Sequence, residues 1–119
     1  MSRRKIVAGN WKMNTSFESG MELTKNISNV KIPSDVEVIL GIPFVFLKSA
    51  IDELESNDQV NVSAQNCHSE VSGAYTGEVS VNMLDSISCR YVSFGHSERR
   101  QYFNENNELL ASKVDKAYA

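Results

Sequence analysis

Lys5-Ile6-Val7-Ala8-Gly9-Asn10-Trp11-Lys12-Met13-Asn14 runs from an apolar strand directly into a polar loop, and the same step recurs along the chain. Lys5 to Gly9 is rich in residues that suit a buried strand. A capping pattern, Thr15 with Glu18 three residues later, then opens a helix carrying Met21, Leu23, Ile27 and Val30. The second strand is Val36 to Gly41, led in by Pro33. Pro43 marks the next helix start, and Leu47, Ile51 and Leu54 share one helical face. In the third strand, Val60 to Gln65, Val60, Val62 and Ala64 alternate with Asn61 and Ser63. A polar, glycine-containing loop from Asn66 to Glu78 leads to a short helix from about Ser80 through Ile87. The fourth strand is Tyr91 to Gly95. From about Glu105 a last helix places Leu109, Leu110, Val114 and Ala117 on one side.

The expected order is β-α-β-α-β-α-β-α, with strands beginning about every 30 residues, the spacing of βαβ units. Right-handed crossovers make neighbouring strands parallel and put the helices outside. The fold class is therefore α/β. Four βα units fit either a small open sheet or half of a (β/α)8 barrel, and spacing does not choose between them.

The totals exclude several classes. The 119 residues suffice for one domain at most, and 41% hydrophobic with 23% charged residues is ordinary for a globular chain. A net charge of −3 argues against a nucleic-acid or membrane-surface partner, and Arg3-Arg4-Lys5 and Arg99-Arg100 are short basic runs. No apolar stretch approaches the roughly 20 residues of a membrane span. Neither a secretory leader at the start nor a targeting tail after Lys116-Ala117-Tyr118-Ala119 is evident. Cys67 and Cys89 lack metal-ligand spacing, and Cys67-His68 has no second pair, so free thiols in the cytoplasm are expected and no metal or cofactor.

In parallel α/β folds, chemistry sits beyond the carboxyl ends of the strands. Those positions hold Asn10 and Lys12, Gln65, and Gly95-His96-Ser97-Glu98; the second strand ends in Gly41-Ile42-Pro43-Phe44, which offers nothing titratable. A lysine, a histidine and an amide on one rim suit an anionic substrate bearing a carbonyl. Lysine supplies fixed positive charge, and an imidazole N–H stabilises an oxygen that gains charge. Gln65 is expected to be structural. His96-Ser97 does not make a serine hydrolase, because no nucleophile elbow is present.

Three stretches carry a resemblance. Ala8-Gly9-Asn10-Trp11-Lys12-Met13-Asn14, Gly73-Ala74-Tyr75-Thr76-Gly77-Glu78-Val79-Ser80 and Gly95-His96-Ser97-Glu98-Arg99-Arg100 resemble the first-loop, third-loop and fourth-strand motifs of triosephosphate isomerases. The match runs from about Lys5 to the end, in register with the βα plan, and implies the N-terminal half of a TIM barrel, residues 1–119. It implies interconversion of dihydroxyacetone phosphate and glyceraldehyde 3-phosphate by proton transfer through an enediolate. By this resemblance, Lys12 attracts the phosphate-bearing substrate and stabilises developing charge, Asn10 orients substrate and holds Lys12, and His96 donates to the carbonyl oxygen. A neutral histidine at that position is a known feature of the family rather than a deduction from these residues. Glu98 assists positioning or proton movement, Ser97 hydrogen-bonds within the site, and Arg99 and Glu105 form a structural pair. His68 has no matching role.

The resemblance also implies a homodimer. The family's third loop inserts into the next subunit near its first loop, so Tyr75 and Thr76 stand at the contact tip and Met13 and Asn14 in the receiving region. Ser93-Phe94 departs from the usual aliphatic pair, which adjusts packing beneath His96. Asn104 stands where glycine is common, and asparagine tolerates the same left-handed turn. The family's catalytic glutamate on the sixth loop and its phosphate-gripping glycines after strands seven and eight do not occur in the 119 residues. Glu98 and Glu78 match neither. The 119-residue chain is expected to be inactive alone and to self-associate or require a C-terminal half. A non-catalytic half-barrel assembly or binding module is the alternative. Another phosphosugar barrel enzyme is left little room by the three motifs.

Overall fold

The computed structural model describes residues 3–118; Met1, Ser2 and Ala119, the ends of the expected 1–119 unit, lie outside the described residues. Among the described residues nine elements follow one another: β1 (Lys5–Asn10), α1 (Phe17–Ser28), β2 (Val36–Ile42), α2 (Phe44–Glu53), β3 (Val60–Ala64), α3 (Val81–Ser86), β4 (Tyr91–Val92), α4 (Ser97–Tyr102) and α5 (Asn107–Tyr118). The strands form one parallel sheet in the order β1-β2-β3-β4. Strand order equals chain order and never reverses, so the described residues contain no switch point of the doubly wound kind. The four units are wound in one direction, as in half of a (β/α)8 barrel.

Alternation along the strands assigns the two faces. Leu40 and Ile42 of β2 and Val60, Val62 and Ala64 of β3 are buried against Phe46, Leu47 and Ala50 of α2 and Leu84 of α3. The opposite face carries Ala8, Ile39, Gly41, Ser63 and Ser93, which line an open groove. Pro43 caps α2 through its backbone, and the expected stripe holds: Leu47 and Leu54 are buried and Ile51 partly so.

Several local expectations need correction. Ser16, not Thr15, caps α1: Ser19 N–H donates to Ser16 Oγ while Ser16 N–H donates to Ser19 Oγ. Thr15 adopts φ 76° and lies against Gly20, where a Cβ would sit 3.2 Å from its Oγ1. The buried positions of α1 are Gly20 and Thr24, whereas Leu23 and Val30 are exposed. Small residues allow the close approach, and Thr24 Oγ1 donates to Gly20 O at 2.9 Å, so its hydroxyl is satisfied in the core.

β4 ends at Val92 rather than Gly95. Ser93 N–H still donates to Ala64 O at 2.8 Å, but Gly95 takes φ 60°, which no strand accommodates. An additional helix, α4, intervenes before α5. In α5, Lys113 is buried with Leu110 while Val114 is 46% exposed, so the inward stripe is rotated from the one expected. Lys113 tolerates that burial because Asn66 Oδ1, 2.8 Å away, and the Glu105 carboxylate accept from its ammonium. Asn104 has φ 54°, the left-handed turn that asparagine was expected to supply.

Candidate active site

Asn10, Lys12, Gln65, His96 and Glu98 line one groove of about 720 Å³ at the carboxyl ends of the strands. The loop after β1 is tied down locally. Trp11 N–H donates to Gly41 O at 2.9 Å, Lys12 N–H to Asn10 Oδ1 at 2.9 Å, and Asn14 Nδ2 to Trp11 O at 2.8 Å. Lys12 itself has φ 58°, an unfavourable conformation for a residue with a side chain. Its Nζ reaches Glu98 Oε1 at 2.7 Å. That hydrogen bond holds the Lys12 ammonium above its ordinary range and the Glu98 carboxyl below its own.

His96 is presented by a turn that requires glycine. Gly95 sits at φ 60°, and a Cβ there would lie 2.6 Å from Leu110 Cδ1. The chain then enters α4 with His96 as its N-cap; His96 Nδ1 accepts the backbone N–H of Glu98 at 3.2 Å. A backbone N–H can only donate, so Nδ1 is unprotonated and the ring hydrogen is on Nε2. The Glu98 carboxylate lies 3.5 Å from the same nitrogen, too far to reverse that assignment. Ser97 is the first residue of α4; it is exposed and does not line the groove.

At the wall of the groove, Arg99 Nε donates to Glu105 Oε2 at 3.1 Å, as expected for a structural pair, and Lys113 donates to the same oxygen. Burial pushes the Glu105 carboxyl up, but the hydrogen bonds from Lys113 and Arg99 outweigh it and the net shift is downward. Lys113 had no place in the expected stripe of Leu109, Leu110, Val114 and Ala117. Gln65 proves more engaged than its sequence position suggested. Its Nε2 faces Asn10 Oδ1 at 3.2 Å, Lys12 O at 2.9 Å and Gly41 O at 3.1 Å.

The third loop stands outside the groove lining. His68 N–H donates to Val79 O at 2.8 Å, its Nδ1 lies 3.0 Å from Glu78 Oε1, and its ring packs 4.4 Å from that of Tyr75. The loop is thus closed by its own side chains, with Tyr75 and Thr76 exposed. Met13 is 94% exposed.

The family model described as triosephosphate isomerase matches residues 5–119. The chain belongs to the triosephosphate isomerase family. It is 44% identical over 115 residues to the triosephosphate isomerase of Cytophaga hutchinsonii, covering 94% of this chain and 45% of the relative. It is 44% identical over 116 residues to that of Amoebophilus asiaticus, covering 95% and 46%. With the Loch Maree strain of Clostridium botulinum the identity is 43% over 116 residues, covering 98% and 46%. The chain therefore spans a little under half the length of the triosephosphate isomerases it matches. No helix among the described residues is long and apolar enough to cross a membrane.

Proposed function

We propose that these residues form the electrophilic side of a triosephosphate isomerase site. Its reaction is interconversion of dihydroxyacetone phosphate and glyceraldehyde 3-phosphate through an enediolate. The observation that carries this is the convergence of Lys12, Glu98 and His96 on one groove, with His96 Nε2 left as a hydrogen-bond donor. The family membership and the relatives' names supply the substrate.

In this mechanism the Lys12 ammonium draws in the phosphate-bearing substrate and opposes charge developing on its oxygens. The His96 Nε2–H donates to the carbonyl oxygen, whose negative charge grows as the neighbouring C–H proton leaves. A neutral imidazole donor is closer in proton affinity to an enediolate than imidazolium is. Asn10 holds the Lys12 backbone through Oδ1 and faces substrate from the same rim. Glu98, ionised by its contact with Lys12, fixes the ammonium in place. Ser97, exposed at the start of α4 and outside the groove lining, is given no part in the step.

Abstraction of the proton requires a positioned base. Glu98 is committed to Lys12, and Glu78 to His68 on the third loop. We assign the base and the phosphate grip to polypeptide beyond these 119 residues, so the chain alone turns over nothing. The working unit is a homodimer in which Tyr75 and Thr76 meet the Met13–Asn14 region of a second copy; the exposure of Met13 and the self-closed third loop support this. The free thiols of Cys67 and Cys89 are compatible with a cytoplasmic site of action.

A coupled assay on glyceraldehyde 3-phosphate, with this chain alone and mixed with a C-terminal half barrel, tests the proposal. Turnover only on mixing is expected. Turnover by the chain alone refutes the assignment of the base, and none in either case refutes the isomerase function.

A further inference from the structure

We propose that Gln65 is the positioning residue for Lys12, fixing the left-handed backbone from which the ammonium reaches the groove. This rests on the isomerase role proposed for Lys12 and deepens it.

The geometry is specific. Two of the three atoms facing Gln65 Nε2 are backbone carbonyls, of Lys12 and Gly41, and the third is Asn10 Oδ1, which already accepts the Lys12 N–H. All three are acceptors, so the nitrogen of the side-chain amide must face them; the opposite orientation would set its oxygen against three oxygens. Gln65 thereby grips the Lys12 residue from both sides. It binds the Lys12 carbonyl directly, and it binds the side chain that accepts the Lys12 N–H.

That grip has something to hold. Lys12 stands at φ 58°, a conformation in which a side-chain-bearing residue persists only when its surroundings over-determine it. Relaxation to an ordinary φ would redirect the side chain and break the 2.7 Å contact between Nζ and Glu98. Gly41 O is shared between Gln65 and the Trp11 N–H, so the loop after β1 is anchored to β2 and β3 at one point. Gln65 follows directly on β3, whose neighbouring residues Ser63 and Ala64 are buried. The anchor is therefore the rigid sheet, and the group positioned is a lysine on a loop.

Two readouts test this on Gln65→Met, which keeps the length of the side chain and removes its donors. The first is labelling of Lys12 by an amine-acylating ester, mapped by peptide mass spectrometry in this chain. Lys12 should acylate severalfold faster than in the wild type, relative to Lys116 in the same molecule. The second is steady-state isomerase kinetics in the complex with a C-terminal half barrel, where kcat/KM should fall about tenfold or more. A folded Gln65→Met protein with unchanged Lys12 labelling and unchanged kcat/KM overturns the proposal. If the wild-type complex shows no turnover, the isomerase function fails, while the labelling still decides whether Gln65 positions Lys12. Should Gln65→Met lose its circular-dichroism signal, Gln65→Glu replaces it. A glutamate sets an anionic oxygen against the Lys12 carbonyl once ionised, so Lys12 labelling relative to Lys116 should increase as pH rises through the carboxyl titration. No such increase also overturns the proposal.

Discussion

Lys12 and Glu98 bear on the site in a way that pH can expose. Their hydrogen bond raises the Lys12 pKa and lowers that of Glu98, away from ordinary values of 10.5 and 4.5. Glu98 therefore stays ionised down to pH values below 4.5, and Lys12 stays charged to values above 10.5. Neither titrates in the neutral range, so neither should add an ionisation to the kcat/KM profile of the active complex between those limits. Lys12→Met should lower kcat/KM by at least about 100-fold, the scale on which loss of one charge-stabilising group acts. Steady-state assays across pH on wild type and variant check both expectations; a break near neutrality that disappears in Lys12→Met would sink the first. At this scale the meeting of Lys12 and His96 on one rim was legible, because each stands just beyond a strand. The ring tautomer of His96 was not, since it depends on a backbone N–H that only the turn at Gly95 aims at Nδ1. The grip of Gln65 was hidden for a similar reason: its partners are carbonyls and an amide brought together by the sheet, over a separation of 53 residues for Lys12 O.

Among the elements, α1 separates local pattern from local structure. Thr15 and Glu18 have the spacing of a capping box, yet the reciprocal hydrogen bonds run between Ser16 and Ser19. Ser16→Ala should then destabilise the folded protein by about 1 kcal/mol. Glu18→Ala, which removes no capping hydrogen bond, should stay within about 0.5 kcal/mol. Urea unfolding of the two variants measures the difference, and equal losses would argue for a cap at Thr15. Sequence could not make this distinction because Thr15 is drawn away by packing on Gly20, a tertiary contact. The same holds for α5, where the apolar periodicity pointed to Val114. A lysine displaced it because Glu105 and Asn66 accept hydrogen bonds from that ammonium in the core. The start of α2 at Pro43 and its stripe of Leu47, Ile51 and Leu54 were legible. The short β4 and α4 were not, since two and six residues give too little periodicity to count.

For the molecule as a whole, two buried carboxylates link stability to acid. Glu37 accepts from Tyr91, Arg4 and Asn61 across the inner face, and those bonds, led by Tyr91, hold its carboxyl below the usual range. Glu105 is also lowered, by Lys113 and Arg99 against the effect of its burial. With folded pKa values depressed, their contribution is complete above the ordinary 4.5 and is lost as pH falls through the folded values. Urea midpoints of the folded assembly should drop steeply below that point, and Glu37→Gln should flatten the drop. Under neutral conditions the larger demand comes from the open sheet. Among the described residues β1 pairs only with β2, and both of its faces are exposed, Ile6 at 55% and Val7 at 59%. β4 likewise pairs only with β3 among the described residues. Among the described residues nothing covers the groove face or either edge, and edges of this kind recruit further strands. In isolation the 119-residue chain should therefore self-associate, and a C-terminal half barrel should convert it to a single defined complex. Light scattering coupled to size exclusion measures this: masses well above 13.3 kDa are expected for the chain alone. A monodisperse species of 13.3 kDa with a cooperative thermal transition would show instead that four βα units bury enough surface to stand by themselves.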